Sequence, residues 1–355
     1  MRTPSCAAPP PIRACGTDAS GRGDGPRAMS PLTYEALLGM AVAGERLSAL
    51  DGANGLVVAL DSAPALTPAE RRRVGAWLGV QPCPVIGIGT SLDDAPACDV
   101  LAADARDLAR IVQGIDAAPR AAAVFVQLLR VIDGLPLEAG LVAESLAYAT
   151  LQGGPEHRAW LRDHRARPAA APPGDGEAVA LSRDGDRLHL RLDRPAQRNA
   201  MTVEMRDALV AALSLALADD SIDAVTIDGA GKCFSTGGDL DEFGTVPDPV
   251  TGHLVRSVAL PGRTLSVCAD RTRVRVHGAC IGSGIEFPAF AGHVTAARDA
   301  WFQLPELRMG LIPGAGGCVS ISRRIGRYRT AWMVLSGGRI DAETAHAWGL
   351  VDALD

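Results

Sequence analysis

Apolar residues follow several different periods along the chain. From Tyr34 to Leu50 they fall at helical spacing (Leu37, Leu38, Met40, Ala41, Leu47), which predicts an amphipathic helix. The continuous apolar run in Gly55–Asp61 reads as a buried strand. Thr67-Pro68-Ala69-Glu70 then opens a helix with a capping threonine, a proline in the first turn and a capping-box glutamate. Two more short strands are expected at Pro84–Gly89 and Cys98–Ala103. Beyond them the period becomes helical, with apolar residues three and four apart in Ala105–Gln113, Arg120–Ile132 and Leu137–Leu151, and the helical character continues to Trp160-Leu161-Arg162. The Pro-, Ala- and Gly-rich residues 168–177 read as a flexible or extended linker. The following region contains the apolar strand Ala224–Ile227, the Gly229-Ala230-Gly231 turn and a series of glycine-rich loops.

Composition narrows the class. A chain of 355 residues predicts two units of ordinary domain size, and 47% hydrophobic content is ample for a core. A net charge of −6 gives no footing for nucleic acid, which wants clustered basic surface. Lys232 is the only lysine, so arginine carries nearly all positive charge. The eight cysteines have neither CxxC nor His spacing, which predicts reduced thiols, no metal site and a cytoplasmic setting. No apolar run reaches the ~20 residues that span a bilayer, so no membrane association is expected. Residues 1–30, rich in Pro and Gly, are expected to be a disordered tail, with Met29 as the natural start.

The chemistry concentrates in the last third. Glu286 closes the almost wholly apolar, glycine-rich run Val276–Ile285, and Glu306 lies between Trp301-Phe302-Gln303-Leu304-Pro305 and a second glycine-rich stretch ending in Gly316-Gly317. A carboxylate in such company is costly to bury unless it is paired, hydrogen-bonded or used. Either alone reads equally well as a satisfied structural group; together they favour a shared proton-handling task, one as base and one as acid. Gly237-Gly238 and Gly282-Ser283-Gly284 can each expose backbone amides, and two such loops side by side would make an oxyanion hole. Neither loop has the spacing of a phosphate-binding motif.

These residues carry a resemblance. The chain from about Ala178 to its end resembles the crotonase (enoyl-CoA hydratase/isomerase) superfamily in five ordered elements. Arg194-Pro195 through Arg198-Asn199-Ala200 is similar to its opening element, and Phe234–Asp239 to its first oxyanion loop. His277–Glu286 is similar to its second loop with the first glutamate, and Leu304–Gly317 to the second-glutamate element. Gly337–Ala342 with Trp348–Asp352 matches the closing signature. The resemblance implies an α/β, crotonase-like ββα spiral core. It also implies that the amides of Gly238 and Ser283 hold a thioester oxygen, that Glu286 and Glu306 flank the Cα–Cβ bond, and that Arg198, Asn199, Ala200, Thr236 and Gly237 lie against the nucleotide. Coenzyme A would enter as part of the acyl-CoA substrate, with no permanently bound cofactor. There are departures: Ser283 stands where glycine is usual, His293 where an acidic residue is common, and Asp241-Glu242 where a lysine often follows.

The resemblance extends weakly into the first half. Residues 31–104 resemble a slice of the same core stripped of its catalytic loops, a small α/β half-core with no active site. Residues 105–167 resemble the helical tail that ordinarily follows the core and makes oligomer contacts; here it precedes the catalytic core of residues 178–355. A homotrimer is expected, with a hexamer second. The expected activity is hydration of a 2-enoyl-CoA. The alternatives are a double-bond isomerase or hydrolase on the same scaffold, or a catalytically silent subunit of an acyl-CoA assembly. Pocket walls are expected from Phe243–Pro249 and from Leu254–Leu265, the latter as a lid.

Overall fold

The computed structural model describes residues 29–60, 66–89, 97–165 and 176–355. Nearly all of the expected tail and of the expected linker, and most of Thr90–Ala97, lie outside the described residues.

The first part is a three-stranded parallel sheet, in the order β1 (Leu56–Ala59), β2 (Val85–Ile88), β3 (Val100–Ala102). Helices α1 (Tyr34–Ala43) and α2 (Pro68–Leu78) pack together beside it. The expected long first helix stops at Ala43 because Gly44 takes the left-handed conformation (φ 69°). Thr67 and Glu70 form the expected capping box of α2. Alternation along the strands separates two cores: Leu56, Val58 and Val85 join Leu37, Val74 and Leu78, while Val57, Ile86 and Val100 turn towards the rest of the molecule.

Four helices follow: α3 (Ala105–Ala117), α4 (Pro119–Ile132), α5 (Leu137–Gln152) and α6 (Pro155–Arg165). Pro119 and Pro155 each sit at a first helical position, where the missing N–H costs nothing. The buried Asp99 fastens the first sheet to α4: it accepts from Arg130 Nε at 2.8 Å and from the Val85 amide at 2.8 Å.

The remainder is a larger α/β unit. Its six-stranded sheet runs β12 (Ala353–Leu354), β9 (His293–Ala296), β7 (Thr272–Val276), β6 (Ala224–Gly229), β5 (Arg187–Leu192), β4 (Val179–Asp184). The β4–β5 pair is antiparallel and the others are parallel. A second sheet contains β11 (Ile340–Asp341), β10 (Trp301–Gln303) and β8 (Ala279–Ile281). The helices are α7 (Val203–Ala218), α8 (Pro249–Val258), α9 (Pro261–Val267), the single turn α10 (Ser283–Glu286), α11 (Gly317–Ser336) and α12 (Ala342–Trp348). α11 is broken at Gly326, whose φ of 79° is not helical.

Helices α3–α6 lie on this unit. α3 and α4 pack on α11, α5 packs on both α8 and α11, and α6 packs on the turn Glu306–Met309. Within the face formed by Leu141, Leu146, Tyr148 and Trp160, Leu141 is buried and Tyr148 and Trp160 line a cavity, whereas Leu146 points to solvent. No helix of the described residues is long and apolar enough to cross a membrane.

Candidate active site

The two glycine loops are brought edge to edge by backbone pairing. The Ser235 amide donates to Ala279 O at 3.2 Å, and the Ile281 amide to Ser235 O at 3.1 Å. The contact needs glycine on both sides: a Cβ on Gly237 (φ 85°) would sit 2.5 Å from Ile281 O, and one on Gly284 would sit 2.5 Å from Ser235 O. Asn199 braces the first loop from beneath. Its fully buried side chain donates to Ala230 O, Cys233 O and Phe234 O and accepts from the Arg194 amide. Gly238 and Ser283 therefore line one cavity, and neither amide has an acceptor among the described residues.

Glu286 and Glu306 close on that cavity, both buried. Their Oε1 atoms lie 3.7 and 2.8 Å from the point where a Cβ on Gly282 would be, so both carboxylates face the second loop. They are held differently. Glu286 Oε2 accepts from the Ala315 amide at 2.8 Å and the Gly317 amide at 3.0 Å, a hold that favours the charged form. Glu306 Oε2 is buried with no protein partner among the described residues. Burial pushes both carboxyl groups upward, and the Glu286 charge adds to the rise at Glu306. Of the two, Glu286 is the more readily ionised.

The cavity measures about 720 Å³. Its wall includes Tyr148 and Trp160 from the helices that precede the core, with Met201, Phe243, Arg256, Leu260 and Ile312 from the core itself. Trp160 stacks on His164 at 4.7 Å and meets Phe243 edge-on at 5.9 Å, so α6 is seated on the cavity rim by aromatic contact. Of the residues expected against the nucleotide, Thr236 and Gly237 line the cavity. Arg198, Asn199 and Ala200 stand outside its wall, Asn199 with its side chain turned into the protein. Of the expected pocket walls, Phe243 contributes from the first segment, and Arg256, Ala259, Leu260 and Pro261 from the second. The Ser283 hydroxyl is buried without a protein partner among the described residues. His293 lies on β9, away from the cavity wall. Among the described residues no group of three or more His, Cys, Asp or Glu is placed to hold a metal ion.

A third buried carboxylate reaches the site from α5. Glu144 accepts from the Gly316 amide at 2.7 Å and the Val319 amide at 3.3 Å, on the loop whose neighbouring amides hold Glu286. Burial, with the Glu286 charge second, raises its pKa to about 8 against the pull of those amides. Sequence reasoning passed over Glu144. The signal was its spacing, three residues after the buried Leu141 and four before Tyr148, on one helical face.

The profile of a family described as Enoyl-CoA hydratase/isomerase matches residues 188–355. The chain is 36% identical over 173 residues to 2,3-dehydroadipyl-CoA hydratase of Escherichia coli (strain K12), covering 49% of this chain and 67% of that protein. The chain belongs to the enoyl-CoA hydratase/isomerase (crotonase) family. It is likewise 34% identical over 176 residues to cyclohexa-1,5-dienecarbonyl-CoA hydratase of Thauera aromatica, covering 50% of this chain and 66% of that protein. Among solved structures, an enoyl-CoA hydratase from Mycobacterium smegmatis is 28% identical, with 50% of this chain and 70% of that chain covered at a TM-score of 0.46. The match begins on β5, so residues before it, α3–α6 among them, lie outside the profile. As a crotonase-family enzyme the chain carries out a crotonase-type reaction on an acyl-CoA.

Proposed function

We propose that this crotonase-family enzyme adds water across the double bond of a 2-enoyl-CoA thioester. The observation that carries the reading is the pair of buried carboxylates beside two free backbone amides. The Gly238 and Ser283 amides receive the thioester oxygen and stabilise the negative charge that develops on it, as oxyanion donors do. Glu286, whose charged form the Ala315 and Gly317 amides favour, takes a proton from water while the hydroxyl adds to Cβ. Glu306, whose Oε2 has no partner and whose proton is held by burial, gives its proton to Cα of the enolate. One proton enters and one leaves the pair, and a final transfer between the carboxyls through the product or solvent restores the start.

Of the expected nucleotide set, Thr236 and Gly237 line the cavity, which supports their contact with the coenzyme A moiety. Arg198, exposed at the entrance to the first loop, would act from outside the cavity wall. Coenzyme A enters as part of the substrate. A homotrimer, with a hexamer second, is supported by the exposed apolar side chains Val250, Leu254 and Val258 along α8 and Leu146 on α5. A cytoplasmic setting is supported by the free, buried thiols of the six described cysteines.

The test is a panel of straight-chain, branched and cyclic 2-enoyl-CoA thioesters, followed by loss of the conjugated absorbance and by product mass. A product heavier by one water supports hydration. A product of unchanged mass with a moved double bond, or release of free coenzyme A, makes isomerisation or hydrolysis the better account.

A further inference from the structure

A guanidinium drawn out of water needs an anion, or it remains an uncompensated charge. Arg256, in the last turn of α8, is such a group. Burial pulls its pKa down, and its side chain lines the cavity. The hydrogen bonds it makes are all to neutral oxygens: Nε to Ser145 Oγ at 3.0 Å, Nη1 to Gln152 Oε1 at 3.3 Å and Nη2 to Ser145 O at 3.3 Å. Three of its five N–H groups are thereby used and two remain. Its plane lies over the Tyr148 ring, with Cζ 4.6 Å from the centroid. Among the described residues it forms no ion pair. Glu144 is within electrostatic range, but its oxygens are held by the Gly316 and Val319 amides.

The position of this charge matters. The Tyr148 ring beneath Arg256 lies hard against the Gly314 backbone, next to the Ala315 amide that holds Glu286. The guanidinium therefore lines the same cavity as the carboxylate pair, together with Ala259, Leu260 and Ile312. A plain hydrocarbon tail running past the glutamates would strip the remaining water from Arg256 and give nothing back. A carboxylate there would meet two free donors in the fork geometry that arginine offers.

We propose that Arg256 is the anion-recognising end of the acyl pocket, and that the preferred substrates are 2-enoyl-CoA thioesters bearing a carboxylate at the far end of the acyl chain. The inference rests on the acyl-CoA reading above.

The test compares saturated thioesters in matched pairs, succinyl- with butyryl-CoA, glutaryl- with valeryl-CoA and adipyl- with hexanoyl-CoA, by equilibrium binding to the wild type and to Arg256→Gln and Arg256→Lys. At one chain length the dicarboxylic member should bind roughly tenfold or more tightly than its neutral partner, the scale of one charge-assisted pair. Arg256→Gln should collapse that ratio and Arg256→Lys should restore part of it. Equal or tighter binding of the neutral member at every length overturns the proposal. So does an Arg256→Gln protein that keeps the ratio, or that weakens both members alike because the arginine only ties α8 to α5 or meets the coenzyme A moiety. Failure to bind any of the six thioesters removes the acyl-CoA reading itself, an outcome distinct from binding without discrimination.

Discussion

The molecule contains two parallel sheets that differ mainly in what leaves their strands. In the first, β2 passes to β3 across residues 89–99, and β1 reaches β2 through α2. In the second, β6 is followed by the Cys233–Leu240 loop, β7 by an excursion through β8 to Glu286, and β9 by β10 and the turn that carries Glu306. The first sheet buries apolar residues on both faces, and the second buries Leu, Val and Ile on one. Among the described residues, only the second places two glycine loops and two carboxylates around a cavity. Strands supply the frame, and chemistry comes with the excursions at their ends. The contrast sharpens in the helices between the sheets: α5 and α6 lack a catalytic loop of their own, yet they supply Glu144, Tyr148 and Trp160 to the second sheet's site.

The largest expected effect comes from removing that contribution. A fragment of residues 178–355 would lose Tyr148 and Trp160 from the cavity wall, leave the Gly316 amide without its acceptor and expose the apolar surface under α3–α5. It should be insoluble or inactive; a soluble, fully active fragment would make the front half a mere appendage. Next is Glu144→Ala, which leaves the buried Gly316 amide unpaired at ~1–3 kcal/mol, while the Val319 amide keeps Gly316 O as an acceptor. By loosening the loop that holds Glu286 it should also lower turnover on the order of tenfold to a hundredfold. Unchanged kcat alongside a lowered Tm would reduce Glu144 to a purely structural role.

A third effect is pH-dependent. Glu144, Glu286 and Glu306 all hold their protons more tightly in the folded state than in the unfolded chain. Their contribution to stability is full below the ordinary value of 4.5 and is lost as pH rises through the raised values, near 8 for Glu144. Thermal stability should therefore fall as pH rises from 4.5 to about 8. Glu306→Gln, which cannot ionise, should flatten that fall and be the more stable protein at the alkaline end. The smallest effect on activity belongs to the first sheet's separate core. Leu78→Ala should cost ~2–5 kcal/mol of stability there and leave kcat unchanged. A large loss of kcat in still-folded Leu78→Ala protein would mean that the first sheet shapes the site after all.

Much of the second sheet's site could be read from sequence because its signals are local. Gly237-Gly238 and Gly282-Ser283-Gly284 mark sharp turns, and Glu286 and Glu306 interrupt apolar runs where a charge is out of place. Glu144 escaped because a lone glutamate in a helix looks like an exposed one until the helix's partner is known. Arg256 escaped for the same reason, since its unpaired charge becomes visible only once α5 and α8 are seen packed. Asn199 was expected beside the nucleotide, but its four bonds to backbone partners 5 to 35 residues away emerge only from the tertiary fold. The end of α1 was missed more simply: Gly44 outweighed the apolar spacing that continued to Leu47.

The central claim is that the two carboxylates divide one proton-handling task. It is tested most directly by the hydration rate of the best 2-enoyl-CoA substrate with Glu286→Gln and Glu306→Gln, each first confirmed folded by its circular dichroism and melting curve. Each variant should fall by ~10²-fold or more, the scale of a lost acid–base group. A near wild-type rate in either variant would contradict the division of labour between them.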